Sequence, residues 1–378
     1  MLPLLTNRLP AFLDQSAQRM TDWLRTHGES AMRFRQIRHW LFVGRATNFA
    51  EMTDLPKKLR VQLADEFRLF QSEIASRQQS CDGTQKLLLR LFDGHHIECV
   101  MIPEKTRRTA CISTQVGCGM GCVFCASGLN GVVRNLSQGE ILEQLLHLRN
   151  LLPRQERLTN IVVMGMGEPL ANLDALADAL DIACSRDGLG IGARHVTIST
   201  VGLPAKMRRL AELGKPYHLA VSLHAPNDAL RARIVPTNSA TGIRAILEAA
   251  DLIFSKTGRR VTYEYVLLGG INDSKREARE LARLLAGRCA HVNLIPFNEV
   301  AGLPYRPPTQ RSQTDFVAEL RRAGINVKVR KRKGADIDAA CGQLRRKIIE
   351  KTGGVHPDNP VQLARRVILA FWESRLGT

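Results

Sequence analysis

GCGMGCVFCASG, residues 117–128, sets Cys118, Cys122 and Cys125 at a C-x3-C-x2-C spacing. Clustered thiols oxidise readily, so a chain that keeps three so close together has a use for them. Structural zinc takes four ligands, usually as two separated pairs, and the sequence has no second C-x2-C or H-x3-H to complete such a set. A [4Fe–4S] cluster takes one thiolate per iron, so three cysteines hold it and leave one iron open to a ligand. Just before the thiols, ACISTQ (residues 110–115) is a short β-rich run. The cysteines therefore belong to a loop at the end of a strand.

Outward from that loop, strands and helices alternate. NIVVMGM (160–166), HVTISTVG (195–202), HLAVSLH (218–224), VTYEYVLL (261–268) and HVNLIPF (291–297) read as further strands. Between them SQGEILEQLLHLRNLL (137–152), LDALADALDIACS (173–185) and GIRAILEAADLIFS (242–255) have helical spacing. Six strands with intervening helices predict an α/β fold, a full or partial (βα)6 barrel with its active site at the C-terminal ends of the strands. Upstream, QKLLLRLFDGHHIECVMIP (85–103) reads as a hairpin turning at Asp93-Gly94. SAMRFRQIRHWLFVG (30–44) and MTDLPKKLRVQLADEFRLF (52–70) place Ile37, Leu41, Phe42, Leu59, Leu63 and Phe67 on apolar helix faces between basic residues. The expected domains are a helical basic accessory domain over 1–95, a core over 96–345 and a helical tail over 346–378.

The chain has 378 residues, 54 Lys and Arg against 36 Asp and Glu, and a formal net charge of +18. Such an imbalance suits a polyanion partner, and nucleic acid comes first. No apolar run approaches the roughly 20 residues of a membrane span, and MLPLLTNRLPAFLDQ lacks the features of a signal peptide. A cytoplasmic protein without a membrane is expected, and its nine cysteines serve as thiols, metal ligands or catalysts. Cys81, Cys184 and Cys289 read as buried and inert. After the second barrel strand, VVMGMGEPLANLD (162–174) has a glycine-rich turn with Gly165, Gly167 and a carboxylate at Glu168. Ser199, Ser222, Leu223, His224 and Asn298 lie at later strand ends. Singly, such Ser and Asn residues suit strand-end caps; together they suit a ribose or carboxylate.

The cysteine loop resembles the signature of the radical S-adenosylmethionine (SAM) enzymes, with Phe124 before the third thiol, and GMGE (165–168) resembles their GGE motif. That resemblance implies a [4Fe–4S] cluster whose open iron chelates SAM, with Gly167 and Glu168 at the SAM amino group. More specifically, ACISTQVGCGMGCVFC (110–125), RNLSQGEI (134–141), MGMGEP (164–169), VSLHAPND (221–228) and DIDAACGQLR (336–345) resemble the RlmN/Cfr family of radical SAM RNA adenine methyltransferases. RFRQIRHWLF (33–42) and MTDLPKKLR (52–60) extend the likeness to the N-terminal part.

Carbon 2 of adenine is electron-poor and does not attack a SAM methyl group, so a radical route is required. The resemblance implies that Cys341 carries a methyl group taken from one SAM. A deoxyadenosyl radical from a second SAM then activates that group, and the resulting carbon radical adds to adenine. Glu98 deprotonates the adduct, and Cys111 attacks Cys341 to release methylated RNA through a transient disulfide. Ribosomal RNA and tRNA are the implied substrates, an electron donor such as flavodoxin or ferredoxin the implied partner, and a monomer the expected state. Arg33, Arg35, Arg38, Lys57, Lys58 and Arg60, and the basic run Arg321–Lys347 around Cys341, are the expected RNA contacts. Ser127 stands where most RlmN sequences have threonine. Three other readings stay open on the residues alone: Cfr-type methylation at C8, a radical SAM activase, and a zinc-stabilised RNA-binding module with Cys341 as fourth ligand.

Overall fold

Strand and helix in alternation bury both faces of a sheet only when the strands run parallel with the helices outside. The computed structural model, which describes residues 9–300, 302–340 and 342–344, has that arrangement. Helices α1 (Ala17–Thr26), α2 (Met32–His39) and α3 (Lys57–Glu66) come first. Strands β1 (Glu73–Gln79), β2 (Gln85–Arg90) and β3 (His96–Pro103) form an antiparallel meander, and β4 (Arg108–Cys111) pairs antiparallel with β3. A hairpin of β5 (Gln115–Gly117) and β6 (Val132–Asn135) brackets the cysteine loop. Then follow α4 (Gln138–Asn150), β7 (Asn160–Val163), α5 (Leu173–Cys184), β8 (Val196–Thr200), α6 (Pro204–Glu212) and β9 (His218–Ser222). The series continues with α7 (Asp228–Ile234), α8 (Asn238–Thr241), α9 (Ile243–Thr257), β10 (Val261–Leu267), α10 (Lys275–Leu285), β11 (Ala290–Pro296), α11 (Gln310–Arg322) and β12 (Asn326–Val329).

The main sheet runs β1-β2-β3-β4-β7-β8-β9-β10-β11-β12, and every pair from β4 to β12 is parallel. Its two outer strands do not pair, so the barrel is partial, as expected. Three details differ from the sequence reading. A seventh parallel strand, β12, lies inside the run read only as basic; it is short, and of its four residues only Val327 is buried. ACISTQ is not one strand, because the ladder of β4 ends at Cys111 and Gln115 starts the separate hairpin. The helices end at Glu66, and β1 and β2 join the core sheet through β3, so a boundary at residue 95 cuts through paired strands. The tail over 346–378 lies outside the described residues. Among those described, no helix is long and apolar enough to cross a membrane.

The N-terminal helices share one continuous core with the sheet: Ile37, Leu41, Leu59 and Leu63 belong to the same buried cluster as Ile141, Leu145 and Leu148 of α4. Polar ties reinforce the joint. Asp14 accepts hydrogen bonds from the Gly139 N–H (2.6 Å) and the Ser137 hydroxyl (3.0 Å) at the start of α4, a helix that Ser137 and Glu140 also close with a reciprocal capping box. A Cβ at residue 139 would fall 2.8 Å from the Asp14 carboxylate, which is why glycine stands there. Arg149 donates to the Leu41 carbonyl at 2.8 Å.

Glu143 of α4 holds the segment that leads into β1, accepting from the backbone N–H groups of Gln71 (2.8 Å) and Ser72 (2.7 Å) and from the Ser72 hydroxyl. Burial pushes its carboxyl up to about 7 despite those bonds, from 4.5. The folded state therefore binds a proton that the unfolded state has released, and stability falls as pH rises through that window. We expect this group to remove on the order of 3 kcal/mol between about pH 4.5 and about pH 7. Glu143→Gln abolishes that slope, which urea unfolding of both proteins across the window measures as a shrinking stability difference.

Candidate active site at the mouth of the sheet

Parallel pairing brings the C-terminal ends of the strands to one mouth, where the cysteine loop closes over a cavity. Cys118, Cys122 and Cys125 line it together with Gly167 and Glu168 after β7, Ser199 of β8, Ser222 and His224 at the end of β9, and Asn298 after β11. Leu223 does not: side chains alternate along an extended chain, so it points into the core between two residues that face the cavity. Glu98 and Cys111 are not among the lining residues. Cys341 lies outside the described residues, but Gly342 next to it lines the cavity. The Ala126 N–H donates to the Gly342 carbonyl (2.8 Å), and the Ser127 hydroxyl donates to that of Leu344 (2.8 Å). Serine in place of threonine keeps that hydroxyl.

The glycine turn is forced by close approach. Gly167 has φ +103°, and a Cβ there would lie 2.7 Å from Gln115; one on Gly165 would lie 2.6 Å from the Ser113 hydroxyl. Glu168, buried behind the turn, accepts from the Thr200 hydroxyl (2.7 Å) and from the N–H groups of Val201 (2.8 Å) and Leu170 (3.0 Å). Burial raises its pKa, and those three donors oppose the rise. A carboxylate offers about four acceptor positions, so one remains for a cation in the cavity. His224 sits at φ +62°. Its Nδ1 accepts from the Val266 N–H at 3.1 Å. Burial, and secondarily Arg231, lower its pKa to about 3, so the ring is neutral with its proton on Nε2.

The thiols suit a cluster. Burial pushes Cys118 up to about 12 and Cys122 well above the ordinary thiol range, and the neighbouring cysteines add to the effect at both. Such thiols ionise only when a strong local positive charge is supplied, as bound iron does. Among the described residues no set of three or more His, Cys, Asp or Glu is arranged to hold a single metal ion. The three cysteines border a cavity instead, together with polar groups from the strand ends.

Sequence reasoning missed three buried charges. Glu264 of β10 lines the cavity and accepts from the Asn293 amide (2.9 and 3.2 Å). Burial raises its pKa against the opposing charge of Arg330. A glutamate inside the apolar run VTYEYVLL was the available signal. Arg231 of α7 is fully buried. It donates to the carbonyls of Val201 (2.5 Å), Leu223 (2.9 Å) and Ser222 (3.0 Å), and to the Asn238 side chain (2.7 Å). Lys86 of β2 pairs with Glu98 of β3 at 3.0 Å, both almost without solvent access. In register, Val100 of β3 faces both Lys86 and Cys111, so Lys86, Glu98 and Cys111 share one face of the sheet. Cys81 and Cys289 are exposed rather than buried; they lie in a turn and at a helix end, where the fold gives no cover.

The expected RNA contacts also divide. Arg33 is taken by Glu29 and Gln36, Arg38 by Ser185 and the Asp187 carbonyl, and Arg60 by the Ala50 carbonyl. Arg35, Lys57 and Lys58 are exposed, as are Lys328 and Lys331 near the mouth.

Comparison with known proteins follows this geometry. The Radical SAM superfamily model matches residues 112–282, and the Ribosomal RNA large subunit methyltransferase N-terminal domain model matches residues 11–69. The chain is 57% identical over 334 residues to a Rhodopirellula baltica protein named "Probable dual-specificity RNA methyltransferase RlmN", covering 88% of this chain and 90% of that one. A Geobacillus thermodenitrificans protein of the same name is 45% identical, with 90% and 93% covered. A crystal structure of a radical SAM methyltransferase from Sphaerobacter thermophilus superposes with TM-score 0.86 at 43% identity, covering 89% of this chain and 99% of that one. Near full-length likeness to RNA methyltransferases overrules the activase and zinc-module readings.

Arg231 carries the sharpest structural prediction here. Arg231→Met strands the carbonyls it serves in a dry site, and we expect a loss of roughly 3–5 kcal/mol. Arg231→Lys, which keeps the charge but not the fork, falls between. Chemical denaturation of the three proteins measures the series.

Proposed function

Because the chain belongs to the RlmN family of radical SAM RNA methyltransferases, we propose that it methylates carbon 2 of an adenine in large-subunit ribosomal RNA and in tRNA, with Cys341 as methyl carrier. The cavity carries this reading: three thiols, a glycine turn with a buried carboxylate, a row of short polar side chains and Gly342, the neighbour of Cys341, border one space. The [4Fe–4S] cluster and SAM would supply the one-electron chemistry that an electron-poor ring carbon needs, the cluster also taking back the electron left over when the adduct loses its proton.

The protein groups do the rest. Cys118, Cys122 and Cys125 hold the cluster. The remaining acceptor position of Glu168 takes the SAM amino group, and Ser199, Ser222, neutral His224 and Asn298 hold its carboxylate and ribose, while the Leu223 backbone is taken by Glu264 and Arg231. Glu98 accepts the proton that leaves the adenine carbon of the covalent adduct. Cys111 sulfur then attacks Cys341 sulfur: the S–S bond forms, the S–CH2 bond breaks, and its electron pair stays with the methylene carbon, which takes a proton to become the methyl group. An external dithiol returns both cysteines to thiols. Exposed Arg35, Lys57, Lys58, Lys328 and Lys331 contact RNA phosphates and position an unstacked adenine at the mouth. A flavodoxin- or ferredoxin-type donor, a monomeric enzyme and a cytoplasmic setting complete the proposal.

Two measurements test it. Mass spectrometry of anaerobically purified protein should find one added methyl group on Cys341, absent in Cys118→Ala; an unmodified Cys341 in cluster-loaded protein supplied with SAM would sink the carrier role. Nucleoside analysis of treated RNA should then give 2-methyladenosine rather than the 8-methyl isomer. For the cofactor site, Glu168→Gln removes a charge-assisted bond worth about 1.5–3 kcal/mol, so SAM should bind about 10- to 100-fold more weakly at unchanged iron content.

A further inference from the structure

A carboxylate with no access to water is stable in its charged form only beside a cation, and an ammonium needs its anion equally. Glu98 and Lys86 satisfy that rule across neighbouring strands: Lys86 Nζ lies 3.0 Å from Glu98 Oε1, with side-chain exposures of 3% and 4%. The same ammonium donates to the backbone carbonyl of Asp338 at 3.3 Å. One cation thus touches both the carboxylate at the Cys111 side of the sheet and the segment that runs on to position 341.

We propose that Lys86 is a positioning residue of the methyl transfer: it keeps Glu98 ionised, and therefore able to accept a proton, while fixing the backbone that leads to the carrier cysteine. This rests on the reading of Glu98 as the proton acceptor. Lys86 is a cation in direct contact with both the Glu98 carboxylate and the Asp338 carbonyl. The titratable and charged groups on the face of Glu98 are Lys86 and Arg90 on β2, His96 on β3 and Cys111 on β4, with His96 paired to Arg90 at the hairpin end of the strands. Cys99, next along β3, points to the opposite face. From the segment before position 341, Asp338 presents a carbonyl, and the Asp336 carboxylate is turned to the Ser80 hydroxyl (2.5 Å) and the Cys81 N–H (3.2 Å). The Ser113 hydroxyl donates to the Glu98 backbone carbonyl and not to the carboxylate.

Without its cation, a carboxyl buried this deeply takes up a proton at neutral pH and releases it only as pH rises. A variant lacking Lys86 should therefore stall like one lacking Glu98, but reversibly with pH. The test uses cluster-loaded wild type, Lys86→Met, Lys86→Arg and Glu98→Gln, each turned over with RNA, SAM and reductant across a pH series. Covalent protein–RNA species are read on denaturing gels. We expect Lys86→Met to hold about tenfold more covalent species than wild type at about pH 7 and to clear it by about pH 9. Glu98→Gln should hold it at every pH, and Lys86→Arg should follow wild type.

A Lys86→Met protein that clears the species as wild type does at neutral pH, or holds it independently of pH, overturns the proposal. Accumulation in Glu98→Gln but not in Lys86→Met overturns it alone and leaves Glu98 as acceptor. No accumulation in Glu98→Gln removes the acceptor reading and the role of Lys86 with it. Should Lys86→Met fail to fold, Lys86→Gln, shorter and polar, answers by the same profile.

Discussion

One guanidinium with no access to water holds the mouth of the sheet in shape. Arg231 binds the carbonyls just past β8 and at the end of β9, where the parallel ladder has finished and the chain turns away. Those carbonyls have no neighbouring strand to pair with, and a dry site has no water to replace one. A planar fork of donors meets several at once, as a lysine ammonium does not. The same helix end fixes the cysteine loop, because the Val123 N–H donates to the Ile234 carbonyl at 3.1 Å. Positive charge near Cys122 favours the thiolate that iron requires. Strand ends, loop and cluster ligands therefore depend on one side chain that makes no ion pair of its own among those seen.

What the sequence disclosed was what chemistry had made local. Three thiols at fixed spacing, two glycines before a glutamate and strands at regular intervals each carry their meaning within about a dozen residues. The missed groups act across distance. Lys86 is one polar residue in a hairpin, and its partner appears only when β2 and β3 are set in register. Arg231 sits in a run, DALRARI, with a second arginine two residues on; only the helix orientation turns one inward and leaves Arg233 outside. Strand β12 hid because NVKV is too short and too exposed to alternate clearly. Leu223 was drawn in by neighbours that do face the cavity, although the period of an extended chain excludes it.

The basic character resolves into two populations. Many Arg side chains serve the fold: Arg149 of α4 reaches the Leu41 carbonyl of the N-terminal part, Arg45 reaches back to the Leu152 carbonyl of the core, and Arg134 bridges Asp93 and Glu140 beside the cysteine loop. These charges are spent internally and attract little from solution. Others, Arg35, Lys57 and Lys58 on the N-terminal helices and Lys328 and Lys331 around β12, are exposed. If these side chains meet phosphates as proposed, they orient an RNA without reading its bases, and selection of the adenine falls to the shape of the mouth and to the ease with which a base leaves its stack.

Under the proposed function Cys341 faces conflicting demands: a thiolate kept at the cavity competes for the open iron, and one kept beside Cys111 oxidises. The described residues on either side of position 341, 334–340 and 342–344, are fastened at two places. At one end Asp336 is fastened to Ser80 and Cys81, and the Asp338 carbonyl to Lys86. At the other, Gly342 and Leu344 accept from the cysteine loop, and the Gln343 side chain reaches the Glu299 carbonyl at 2.9 Å. Left-handed backbone at Gly334, Asp338 and Gly342 turns the chain sharply between these anchors. The backbone on either side of position 341 is thus held from two directions, by the buried pair of Lys86 and Glu98 and by the cysteine loop, and the proposed roles of the carrier and its proton acceptor need both anchors at once.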